Sequence, residues 1–241
     1  EAGIRFEVPE LPELPSRVEA VLEAIYAAYG SGWEEVAGAD PRRRGLAEEA
    51  IWLGRLVARL LPDEPEALGL LALMLHCEAR RPARRDSSGG YVPLSRQNVA
   101  LWSRPLVEEA EKILATASRA GQPGRFQLEA AIQSAHARRM ATGRTDWEAI
   151  ALLYEGLLLC APTIGARVGH AAALAEVRGT EAGLGALEAH LLERIGRDDE
   201  AQQAFERAIG LSEEPAVRDF LVATSRRPPS GDRSRGQPGQ S

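Results

Sequence analysis

Apolar residues recur along the chain at helical spacing, and the runs are separated by glycines, prolines and polar clusters. Val18, Leu22, Ile25 and Tyr29 form one stripe behind Ser16 and Glu19, whose capping-box spacing predicts a helix opening at Ser16 and ending at Gly30-Ser31-Gly32. Leu46, Ala50, Leu53, Val57 and Leu60 make a second apolar face, with Glu48, Arg55 and Arg59 largely off it. From Leu68 to Leu75 no face carries a charge, so this helix has to be covered on most sides and the chain is organised around it. Asp63 and Glu66 have the spacing of an N-terminal cap, Pro65 suits a first turn, and Arg80 and Arg81 lie on the last turn before Pro82 stops it. The run is too short to span a bilayer.

Ala83 to Ser103 is the longest irregular segment, with turn chemistry from Asp86 to Gly90 and a short extended piece or hairpin arm at Tyr91 to Leu94. Helical patterning resumes behind Ser103 and Pro105 with Leu106, Ala110, Ile113 and Ala117, and again from Phe126 to Ala141. Thr145 and Glu148 then make a capping box. Helix breaks follow at Pro162, Gly179, Gly196 and about Glu213, each 17 residues after the last. Two such steps give the period of a tetratricopeptide (TPR) helix pair, and Leu192, Gly196, Glu200, Ala201, Phe205 and Ala208 fall at its small and aromatic positions, with Pro215 slightly late.

This pattern predicts an all-α chain of antiparallel helical hairpins, TPR-like and superhelical in its C-terminal half, with one long irregular loop around 83–103. The expected divisions are a proline-spaced connector over 1–15, a helical subdomain over 16–120, a TPR-like repeat over 121–225 and a disordered tail over 226–241.

Composition narrows the chemistry. A net charge of −6 opposes autonomous binding to a phosphate backbone, so nucleic acid is not an expected direct partner. Lys112 is the single lysine, which removes the P-loop and most Schiff-base mechanisms. No run resembles a signal peptide or a membrane span, giving a cytoplasmic expectation without a membrane partner. Cys77 and Cys160 sit in apolar helical runs and do not suggest a disulfide framework.

No catalytic residue, metal site or cofactor site is expected. His76, His136, His170 and His190 lie in different helices without a second ligand at metal-binding spacing, and His76, Cys77 and Glu78 point to different faces of one helix. The candidates for partner binding are Arg80, Arg81, Arg84 and Arg85, with Tyr91, Gln97 and Trp102 beside the same loop and His136 on a later helix. Arginine forks pair carboxylates bidentately, so an acidic protein surface is the sharper reading; cations at a helix end plus a solvated loop is the plainer one.

The string from Leu61 to Arg84, together with Val8-Pro9, Leu14-Pro15-Ser16-Arg17-Val18-Glu19-Ala20-Val21-Leu22 and Gly124-Arg125-Phe126-Gln127-Leu128-Glu129-Ala130-Ala131-Ile132-Gln133-Ser134-Ala135-His136-Ala137, resembles the C-terminal TPR-like extension of bacterial extracytoplasmic-function RNA polymerase sigma factors. The resemblance covers most of residues 4 to 211. In the loop the chain keeps Gln97 and Trp102 and lacks the family's acidic pair. What the resemblance implies is a regulatory and protein-interaction domain without the promoter-reading domains. Its implied partners are those DNA-reading sigma domains, the RNA polymerase core and a helper protein. The 17-residue spacing by itself supports an alternative, an independent helical scaffold that binds a peptide or protein in a concave groove.

Overall fold

The computed structural model describes residues 10–33 and 45–195 and a few positions up to 204. The chain is all-α, and the described residues contain no named strand. It divides between Thr145 and Asp146 into two compact units. That division falls later than the expected 120/121 boundary because the fifth helix packs on the central one. Most of the 1–15 connector, the linker around Asp40-Pro41, the break near Glu213 and the 226–241 tail lie outside the described residues.

In the first unit, α1 (Leu14–Trp33), α2 (Leu46–Leu60), α4 (Arg104–Ala117) and α5 (Arg125–Ala137) all pack on α3 (Pro65–Ala79). Every residue of α3 from Ala67 to His76 is buried, as its charge-free run predicts. Around it lie Leu22, Ile25 and Tyr29 of α1, Ala47 and Ala50 of α2, Ala110 of α4 and Phe126 and Ala130 of α5. The Tyr29 hydroxyl donates to the Met74 carbonyl at 3.2 Å, which satisfies a polar group inside this core.

Several helix ends differ from expectation. The first helix opens at Leu14 rather than Ser16, whose hydroxyl donates to the Glu13 carbonyl. It also runs through Gly30 and Gly32 to Trp33, because Gly32 is where the backbone at Leu46 and Ala47 approaches: a Cβ there would meet Ala47 N at 2.5 Å. Leu60, expected on the buried face of α2, is 69% exposed at its end. Glu64, not Asp63, caps α3 by accepting from Glu66 N.

Glu66 serves a different helix. Its carboxylate accepts from Phe126 N at 2.8 Å and Gln127 N at 3.1 Å, the first turn of α5, and it stands where a Cβ on Gly124 would be. The string beginning Gly124-Arg125-Phe126-Gln127 thereby joins α5 to α3. Arg125 adds ion pairs to Glu129 and Glu23 and lies 5.1 Å over the Tyr26 ring.

The second unit contains α7 (Trp147–Cys160), α8 (Ile164–Arg178) and α9 (Thr180–Arg194), following a four-residue helix α6 (Arg139–Thr142) that closes the first unit. Consecutive helices pack, α7 on α8 and α8 on α9. The breaks fall at Pro162 and Gly179 as the spacing predicts. Asp146 rather than Thr145 caps α7, and Thr163 caps α8. Phe205, Ala208 and Pro215 lie outside the described residues.

Candidate functional site

The candidate residues cluster on and under the segment that joins α3 to α4. After Arg80 a 3-10 turn (Arg81–Ala83) leads into a small hairpin whose arms meet at an antiparallel bridge between Arg85 and Tyr91. The Asp86 carboxylate builds its tip, accepting from Ser88 N and Gly90 N at 2.9 Å each and from the Ser88 hydroxyl at 2.5 Å. These bonds hold its pKa below the ordinary carboxylate value, the Ser88 hydroxyl first among them. The Arg85 guanidinium donates to the Gly89 carbonyl, and Tyr91, 66% exposed, stands at the rim.

Two further 3-10 turns, Leu94–Arg96 and Val99–Leu101, bring the chain back to α4, where Ser103 N donates to the Ala79 carbonyl at 2.8 Å. Trp102, 6% exposed, packs with Ala83 and Ala137, flanked by Leu94, Val99, Val107 and Met140. It is therefore the pin of the loop rather than an exposed aromatic anchor. Gln97, 5% exposed, does similar work: its side-chain amide donates to the Val92 carbonyl at 3.1 Å.

Arg139 was not indicated by any spacing, yet it clamps this loop. Its guanidinium donates to the Leu94, Ser95 and Gln97 carbonyls at 3.1, 3.1 and 2.9 Å and lies 5.3 Å over the Trp102 ring. The one sequence signal is its place just after α5, a cation at a helix end.

The four candidate arginines divide by position. Arg81 is directed inward, donating to the Gly32 carbonyl at 3.2 Å and pairing with Glu48 and Glu78, so it ties the end of α1 and the start of α2 to the end of α3. Arg80 caps α3 through its backbone and reaches the Cys77 sulfur. Arg84 is half-buried, and its pKa is pushed down by burial and then by the Arg80 charge. Arg85 is exposed at the hairpin.

His136 lies in the same electrostatic neighbourhood. Burial, followed by the Arg80 and Arg139 charges, lowers its pKa to about 4, so it is neutral at pH 7. The loop therefore exposes Arg85 and Tyr91, with Arg84 half-buried, on a base held by Trp102, Gln97 and Arg139. Chemically this is a surface suited to carboxylates.

Among the described residues no group of three His, Cys, Asp or Glu side chains is placed to hold a metal ion, neither Cys77 nor Cys160 forms a disulfide, and no helix is long and apolar enough to cross a membrane.

Comparison with known proteins adds two similarities. Residues 17–118, from α1 through the loop to the end of α4, match a family of unknown function (DUF6596). Over 227 residues the chain is 38% identical to the uncharacterized protein R00370 of Rhizobium meliloti (strain 1021), covering 88% of this chain and 54% of that protein. The chain spans about half the length of this curated relative. No solved structure matches it significantly.

Proposed function

We propose that the chain is a regulatory, protein-interaction domain of an alternative RNA polymerase sigma factor, acting in the cytoplasm on the factor's own DNA-reading domains or on the polymerase core. The observation that carries the reading is the exposure of Arg85 and Tyr91 at the hairpin of the 80–103 loop, side chains of the kind that pair carboxylates, above a base held by Arg139 and Trp102. Support also comes from the strings that resemble the sigma-factor extension, which fall at structural joints: Gly124 to Gln127 at the α3–α5 junction and Leu68 to Leu75 in the buried run of α3. The relative of nearly twice the matched length suits a domain joined to others. In this role the domain contacts protein, and the net charge of −6 keeps it off the promoter phosphates.

The test is promoter-specific transcription by a longer protein carrying this domain, compared with a version lacking the segment equivalent to residues 17–195, alongside capture of polymerase or sigma domains by the isolated chain. Loss or release of transcription together with capture is expected. Unchanged transcription and no capture would overturn the proposal. A second reading, an independent helical scaffold, is favoured by the regular succession of α7, α8 and α9, and it predicts capture of an unrelated protein instead.

A further inference from the structure

On the first unit, away from the loop, α2 and α4 both lie on α3 and meet at the Arg55–Glu109 ion pair, where one guanidinium nitrogen reaches both carboxylate oxygens at 2.9 Å. Beside that pair they leave an open groove of about 440 Å³. Leu68 and Leu71 of α3 form its floor, Trp52 and the stems of Arg55 and Arg59 one wall, and Ile113 of α4 the other.

Trp52 is 54% exposed although it sits directly beside buried leucines. Burying the rest of an indole against such a floor removes apolar area from water, and Trp and Arg are the side chains that dominate binding energy at protein interfaces. The groove is framed by three helices that pack into one core, so little ordering has to accompany binding. Its open form between two helices, with an apolar lining, suits an apolar helix face laid into it more than an enclosed small molecule.

Charge selects the occupant. Arg59 is exposed and has no ion pair among the described residues, and Arg55 remains 43% exposed beyond its pairing with Glu109. The rim therefore has a positive surplus on a protein whose net charge is −6. A second copy placed on the same groove about a two-fold axis would bring its own arginines against these, which opposes a homodimer.

We propose that the groove binds an amphipathic acidic helix of a partner protein, which seats bulky apolar side chains against Trp52, Leu68 and Leu71 and sets a carboxylate on Arg59. This goes beyond the transcriptional reading and holds whichever protein supplies the helix. It also differs from the loop surface in having an apolar floor.

The test uses two synthetic helical peptides with the same leucine face, one flanked by glutamates and one by lysines at matching positions, titrated onto the full chain. The acidic peptide is expected to bind at least tenfold more tightly. Trp52→Ala should weaken it about tenfold or more, and Arg59→Glu should reverse the preference towards the lysine peptide. Both positions are exposed, and circular dichroism of each variant checks that the helices remain. Equal binding of the two peptides, or affinity indifferent to both substitutions, would overturn the proposal. So would self-association of the chain that Trp52→Ala abolishes, which would assign the groove to a second copy. Since no polymerase enters the experiment, its failure is separate from failure of the transcription assay.

Discussion

The core of the first unit gathers Leu70, Leu71, Met74, Leu75 and Phe126 around one helix, whereas α7, α8 and α9 combine Ile150, Leu157, Leu158 and Leu174 with Ala166, Ala171, Ala173, Ala182, Ala186 and Ala189. Close backbone approaches occur in both units: a Cβ on Gly69 would meet Gln127 N at 2.6 Å in the first, and one on Gly183 would meet the Ala171 carbonyl oxygen at 2.6 Å in the second. That unit also encloses His170 and His190, 0% and 1% exposed, with ring centres 6.2 Å apart. The first core is filled by aliphatic and aromatic side chains around one helix, and the second combines aliphatic side chains with two enclosed imidazoles.

The polar contacts of the second unit impose a protonation state. Arg167 lies 2.8 Å from His190 Nδ1 and 2.8 Å from a Glu193 oxygen. A guanidinium only donates, so Nδ1 must be the unprotonated nitrogen, and burial lowers the His190 pKa accordingly. Arg167 of α8 is thus bound to α9 through a neutral imidazole and a carboxylate. In the first unit His76 is 3% exposed, and burial followed by the Arg80 charge lowers its pKa to about 4.

Removing volume should have the largest effect where volume makes the core. Leu70→Ala should cost about 3 to 5 kcal/mol in urea unfolding, since Leu70 is fully buried at the centre of α3. A loss under about 1 kcal/mol would mean that α3 is not the organising element.

The pH dependence ranks next. The unfolded chain protonates His76 near pH 6.5 and the folded chain near pH 4, so stability is complete above about pH 6.5 and falls as pH drops to about 4. The span corresponds to roughly 3 kcal/mol at most. His76→Leu should make that part of the stability profile shallower, with His136, also lowered to about 4 by burial, supplying a remaining slope; an unchanged slope would show that the His76 imidazole is accessible to protons in the fold.

Adding volume should separate closely packed positions from open ones. Gly183→Ala should destabilise the second unit by about 2 kcal/mol, because the new methyl meets backbone rather than a flexible side-chain end. The same addition at Gly89, at the open hairpin tip, meets nothing within 4 Å and costs only what its positive φ of 84° imposes. Equal effects at the two positions would erase the distinction between a closely packed unit and an open loop.

Arg139→Met should have an effect of about 1 to 2 kcal/mol on global stability, and its larger signature should be faster proteolysis within 83–103, because three loop carbonyls lose their donor. A loop as resistant as before would show that Trp102 alone holds it.

The sequence made α3 legible, because a helix without a charged face has few places to lie, and it made the α7–α8–α9 succession legible through Pro162 and Gly179. Local propensity was overridden where another segment came close. Gly32 reads as a stop, yet it is helical because Ala47 approaches it. Glu66 reads as part of its own helix cap, yet its carboxylate serves Phe126 and Gln127 some sixty residues away. The loop candidates were found through their residue types, but their division was not visible: Arg81 and Trp102 hold the fold, Arg85 and Tyr91 face outward, and Arg139 entered only with the geometry.

The most direct test of the account is hydrogen–deuterium exchange along this chain with and without the DNA-reading domains and polymerase core of a sigma factor that carries such an extension. Slowed exchange concentrated in residues 80–103, with the interior of α3 slow in both states, is the predicted result. Identical exchange in the loop with and without those partners would contradict the claim that this rim is a transcriptional contact surface.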